Sequence, residues 1–203
     1  MVEQLFDYID VSLDLFNQST ERILWNLFLA FISLLFSIYL FNTAVKRNLF
    51  WWLSLLIFIV FLPNAPYVLT DSIHILELSQ QNYPSWAIAI IVVPQYALFI
   101  MLGFEAYALS LIRLNRYLSN YFALQYVAAI DAIAHCLCTV GVYIGRFERF
   151  NSWDFVTRPG VVLLTTMQDL LDGWKLLSMA IASVVVWLLF ELVRLVNERT
   201  ILK

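Results

Sequence analysis

Between Ile23 and Val45 the chain runs for 23 residues without a charged side chain, and a stretch of that length has few ways to fold. At about 1.5 Å of rise per residue it makes a helix of about 35 Å, long enough to cross the ~30 Å hydrocarbon core of a bilayer. Four more apolar stretches follow, at residues 49–78, 86–112, 121–144 and 174–196. Composition agrees: 62% of the residues are hydrophobic and 13% charged, against about 45–50% and about 25% in soluble domains. One small core cannot hide that much apolar surface, so lipid must solvate it. The expected fold is all-α, a polytopic transmembrane helical bundle of about five spans forming a single integral membrane domain over residues 1–203. Twelve basic residues against fifteen acidic ones give a formal charge of −3, with no dense basic face to displace the counterions of a nucleic acid.

The second stretch is unusual. Leu49–Leu62 covers only about 21 Å before Pro63-Asn64-Ala65-Pro66, and the chain resumes with Asp71, His74 and Glu77 among apolar neighbours. The second span is therefore read as broken at the Pro-Asn-Ala-Pro segment, because irregular backbone at membrane depth is tolerated where protein or trapped water satisfies it. Pro94 predicts a kink in the third span. Glu105, near that span's far end, is expected to pair with Arg113 or Arg116. Gly141 and Gly145, four apart, mark a close helix contact. Residues 145–173 form an outer-face connection whose Val161–Leu171 portion is set to lie along the membrane or dip into it.

Residues 1–20 place Leu5, Phe6, Ile9, Leu13 and Phe16 on one helical face and Asp7, Asp10 and Asp14 on another, the pattern of an acidic amphipathic interfacial helix. The acidic start lacks the basic flank of a cleaved signal peptide. Cys136 and Cys138, two apart on a helix, point in different directions and do not bridge. With five spans, one side of the membrane carries Lys46, Arg47, Arg113, Arg116, Arg194, Arg199 and Lys203, and the other Arg22, Arg146, Arg149, Arg158 and Lys175. The basic excess in the short turns assigns the first set and the C-terminus to the cytoplasm and the N-terminus to the outside. Trp51 and Trp52 then belong to the inner aromatic belt, and Tyr67, Trp86, Trp153 and Trp174 to the outer one.

In that topology Leu62–Leu78 and Arg146–Arg158 emerge on the same outer face. Asn64, Asp71 and His74 from the first segment, with Arg146, Arg149, Asn151 and Asp154 from the second, are candidate lining residues of one basin. Asn151 or Ser152 and Asp154 have a plainer use as caps of a short helix. In the fourth span Asp131 and His135, four apart, share a face that Thr139 and Arg146 extend. Ionisable groups at that depth cost at least ~2.5–3.5 kcal/mol on insertion scales and must find partners. The pair is a candidate proton or cation relay. Asp71, His74, Asp131 and His135 together have the ligand types of a zinc site, provided the Pro-Asn-Ala-Pro segment dips far enough for them to converge. No zinc helix of the His-Glu-x-x-His kind, nucleophile elbow or phosphate-cradling Gly-rich loop is present, and the residues name no particular cofactor.

Phe61-Leu62-Pro63-Asn64-Ala65-Pro66-Tyr67 with Thr70, Asp71 and His74, followed by Tyr143-Ile144-Gly145-Arg146-Phe147 with Arg149 and Asn151-Ser152-Trp153-Asp154, resembles the bacterial integral membrane family called domain of unknown function 1361. The resemblance covers the second span through the fifth. It implies a multi-pass protein of a bacterial plasma membrane and brings no activity with it. Two functions follow from the residues: a membrane-embedded binding or transport protein using the Asp131/His135 pair, and an enzyme acting on a lipid or lipid-linked group, with His74 as base. Five spans without a repeat are few for a full transporter, which favours a homo-oligomer or other membrane subunits for the first; a third reading is an assembly or interaction module whose polar residues hold helices together.

Overall fold

The computed structural model describes the backbone of residues 2–81 and 83–201 and the side chains of residues 10–81 and 83–197. Among them there is no strand. The helices are Val2–Leu40 (α1), Leu49–Phe61 (α2), Asn64–Tyr67 (α3), Ile73–Ser79 (α4), Ser85–Ala87 (α5), Val93–Ser119 (α6), Leu124–Arg146 (α7), Asp154–Thr157 (α8), Pro159–Leu171 (α9) and Gly173–Ile201 (α10). A 3-10 turn, Val68–Ser72, joins α3 to α4, and a π-helical turn, Ile88–Val92, joins α5 to α6. Among the described residues five segments are long and apolar enough to cross a membrane: Asp10–Leu40, Leu49–Ser79, Ser85–Ser119, Leu124–Arg146 and Gly173–Asn197.

The first span differs from its expected outline. The acidic stretch is not a separate helix; α1 runs unbroken for 39 residues, about 58 Å. The polar residues between Phe16 and Ile23 do not interrupt it, because the Ser19 and Thr20 hydroxyls donate back to the carbonyls of Leu15 and Phe16, a bond compatible with helix. Leu15 is fully buried in a cluster with Val68, Val92, Tyr96 and Phe99, and Tyr83 donates to Asp14 at 2.5 Å. The side chains of Leu5, Phe6, Asp7, Ile9 and Arg199, and all of Lys203, lie outside the described residues. At its other end α1 stops at Leu40 rather than Val45. There Trp51 is buried against the bundle, donating its indole N–H to the Leu40 carbonyl at 3.1 Å and satisfying one of the acceptors a helix end leaves open. Asn48 caps α2 through the Trp51 N–H.

The second span is interrupted where the prolines stand, by tightening rather than unwinding. Pro66 has no N–H for the Leu62 carbonyl, which instead accepts from Ala65, while the Phe61 carbonyl accepts from the Asn64 side chain at 3.0 Å. Leu62, Pro63, Tyr67 and Val68 all keep right-handed helical dihedrals. Pro94 is likewise absorbed, standing in the first turn of α6 directly after the π turn.

Close backbone approach holds this segment in the bundle. A Cβ on Gly141 would sit 2.7 Å from Pro63 Cβ, and one on Gly103 would sit 2.7 Å from a methyl of Val68. The close contact marked by Gly141 is thus made with the proline segment. A second cluster, including Trp51, Phe58, Tyr107, Leu111 and Phe190, joins α1, α2, α6, α7 and α10. Outside, Leu49, Phe50, Trp52 and Leu56 on α2 and Leu177, Val184, Leu188 and Leu192 on α10 are exposed. Apolar surface on that scale is solvated by lipid.

Candidate functional site

The two polar segments close on one cavity of about 600 Å³. Asn64, at the start of α3, donates to Ser152 Oγ at 2.8 Å, joining segments 88 residues apart. Asp71, in the 3-10 turn, is 1% exposed and accepts from Asn26 Nδ2 at 2.6 Å. Arg146, in the last turn of α7, reaches within 3.6 Å of the same carboxylate. His74 stands one turn on, with Nε2 3.7 Å from Asp71 and Nδ1 2.5 Å from Glu77. Arg22, Arg149 and Asn151 complete the polar lining. Three arginines therefore face two carboxylates and one imidazole.

The turn after α7 is built to present these groups. Arg149 has φ 58, the left-handed region that Gly and Asn occupy readily and other L-residues at a cost. Phe150 N–H returns to the Ile144 carbonyl at 3.3 Å. Asp154 does not line the cavity; it is buried beneath the loop, accepting from the Asn151 backbone at 2.8 Å and from Arg158 at 2.7 Å. These bonds hold its carboxyl below the usual aspartate range by stabilising the charged form. Its role is to hold the loop: the short helix α8 starts after Trp153 with no side-chain cap, so the caps expected from Asn151 or Ser152 are not made, and Asp154 instead ties the Asn151 backbone to Arg158. Beyond it, Lys175 bridges Asp169 at 2.6 Å and Glu148 at 3.4 Å, tying α10 to α9 and the loop.

Asp131 and His135 lie elsewhere. Their closest approach, His135 Nε2 to Asp131 Oδ2, is 3.5 Å, and each has a shorter contact with α6: Asp131 accepts from Asn115 at 2.7 Å, and His135 Nδ1 meets Tyr107 Oη at 2.7 Å. His135 is 2% exposed, packed against Phe190 with ring centres 4.8 Å apart. Asp131 opens onto a second cavity, of about 500 Å³, at the far end of α7 beside Glu191 and Arg194. The convergence of Asp71, His74, Asp131 and His135 on one ion does not occur. Asp131 and Arg146 are 15 residues apart on one helix, about 22 Å, and the proline segment stops against Gly141 instead of dipping further. Among the described residues no group of three His, Cys, Asp or Glu side chains is disposed to hold a metal. Glu105 also departs from expectation: its partner is Asn197, at 2.7 Å.

Sequence reasoning missed Asn26, Asn115 and Tyr107 as partners of the buried acids and histidine, and Arg22 as part of the cavity. Asn26 carried a signal, an amide inside a charge-free run that must be satisfied once in lipid.

The architecture and its polar interior define a multi-pass helical membrane protein. The family model described as Protein of unknown function (DUF1361) matches residues 25–190, and the chain belongs to that family. Neither a curated protein nor a solved structure matches it.

Proposed function

We propose that the protein is a membrane-embedded binding protein that takes an anionic group into the cavity between the two signature segments, and that it serves as a carrier. The observation behind this reading is the cavity itself, where Arg22, Arg146 and Arg149 stand against Asp71 and Glu77. Asp71 is paired with Asn26 and Arg146, so Arg22 and Arg149 supply positive charge for an incoming anion. Carriage draws on the second cavity at the opposite end of α7, with His135 and Thr139 buried between the two. Intramembrane carboxylates and imidazoles couple transport to protons in many carriers. The cavity opens outside and the C-terminus is cytoplasmic in this reading, which the basic excess in the short turns supports.

Titration of the purified protein with sn-glycerol 3-phosphate tests binding. Saturable binding that Arg149→Gln and Arg22→Gln each weaken at least about tenfold is expected, one lost charge-assisted contact being worth about 1.5–3 kcal/mol. Binding indifferent to both substitutions would overturn the reading. For carriage, proteoliposomes should show proton-linked flux that Asp131→Asn removes.

A second reading, catalysis at the outer interface, rests on His74 lying between Asp71 and Glu77 within the same cavity, the arrangement of an oriented general base. It predicts turnover of a phosphate ester lost in His74→Gln with ligand binding retained.

A further inference from the structure

The polar cavity shares a wall with a larger apolar groove, and that junction says more about the ligand than either space alone. The groove, of about 710 Å³, runs between α2, α7 and α9. Val60, Pro63, Gly141, Ile144 and Phe155 line both spaces. On α7 the groove follows Ile130, Ile133, Leu137 and Ile144, the face turned away from Asp131 and His135. Its outer walls, Ile59, Leu137 and Leu163, are more than half exposed, so it opens sideways to the lipid.

Length fixes the sense of this arrangement. From Ile130 to Ile144 the groove extends about 21 Å along the helix, more than the ~15 Å depth of one leaflet, with the arginine-lined cavity at the Ile144 end only. A hydrocarbon chain in the groove would therefore hold its polar end at the cavity. The absence of a side chain on Gly141 keeps the proline segment against α7, and the Asn64–Ser152 bond closes the cavity behind it.

We infer that the ligand is an amphiphile: a membrane lipid with a compact phosphate headgroup, seated with the phosphate in the cavity and one hydrocarbon chain in the groove between α2, α7 and α9. This rests on the anion-binding reading above and names its substrate class. The charge of the cavity selects the headgroup, and the groove admits the lipid laterally from its own leaflet without passage through water.

Binding of three probes to the purified full-length protein separates the possibilities: sn-glycerol 3-phosphate, dihexanoyl phosphatidate and dioleoyl phosphatidate, with dioleoyl phosphatidylcholine as the neutral-headgroup control. The inference expects dioleoyl phosphatidate to bind at least about tenfold more tightly than the dihexanoyl form, from the apolar area added, and phosphatidylcholine to be retained far less. Leu163→Trp or Ile59→Trp, filling the groove from its exposed wall, should narrow the difference between long and short chains. Equal affinity for all three phosphates, each lost in Arg149→Gln, would overturn the lipid and leave the anion-binding reading standing. Retention of phosphatidylcholine equal to phosphatidate, unchanged by Arg149→Gln, would reduce the groove to annular lipid and overturn the lipid inference, while the sn-glycerol 3-phosphate arm alone decides the anion-binding reading. The chain-length comparison uses the unsubstituted protein, so a groove variant that fails to fold does not remove the test.

Discussion

Arg149 holds a left-handed backbone, φ 58, that costs most residues other than Gly or Asn about 1–2 kcal/mol, and it does so in the lining of the polar cavity. Retained strain at a polar site points to use of the side chain. Arg149→Gly should therefore raise the melting temperature in detergent while weakening phosphate binding, and a fall in both would show the side chain to be structural. Asp154 presents the opposite case, a carboxylate whose work is internal. Its folded pKa is depressed by the Asn151 N–H and Arg158, so its contribution to stability is complete above the ordinary aspartate value near ~3.9 and is lost as pH falls through the folded value. Thermal unfolding followed from pH 7 into acid should show Asp154→Asn less stable than the parent at neutrality, with the gap closing below about pH 4. A gap that stays constant would show the ion pair with Arg158 to be irrelevant.

At the level of elements, the meeting of the proline segment with α7 organises the bundle. Gly141→Ala forces a methyl into Pro63, neither of which can swing aside, and should cost about 1–3 kcal/mol; Gly160→Ala, with nothing within 4 Å of the added carbon, should cost nothing measurable in the same unfolding experiment. The Asn64–Ser152 bond should give a coupling of about 0.6 kcal/mol in a double-mutant cycle, the usual size for a polar pair in a membrane bundle. The five spans were readable from run length because bilayer thickness dictates it. The prolines marked the interruption because each lacks an N–H. What the sequence concealed was geometry between elements. The polar patch at residues 17–22 reads as a break between helices, yet back-bonding Ser19 and Thr20 carry α1 through it. Asp131 and His135 read as each other's partners from their spacing of four, whereas each finds its shorter bond on α6, at Asn115 and Tyr107. Spacing along one helix reveals who shares a face, and nothing about who comes opposite.

For the whole molecule, the decisive consequence is that the polar cavity and the second cavity sit at opposite ends of α7, so their accessibilities from the two sides of a membrane must differ. Ser72 and Thr157, exposed near the first cavity, and Ser119, exposed in the lining of the second, suit single-cysteine labelling in a background lacking Cys136 and Cys138. The orientation proposed from loop charge has Lys46, Arg47, Arg113 and Arg116 on the cytoplasmic side. Cysteines at 72 and 157 should thus react with an impermeant thiol reagent in intact cells, and one at 119 only after permeabilisation. The reverse pattern would invert the protein and turn the cavity toward cytoplasmic ligands, leaving the groove and its lipid geometry intact in the other leaflet. Labelling of 72 and 157 from different sides would contradict the Asn64–Ser152 and Asp71–Arg146 contacts themselves, and with them the joint cavity on which anion and lipid binding both depend.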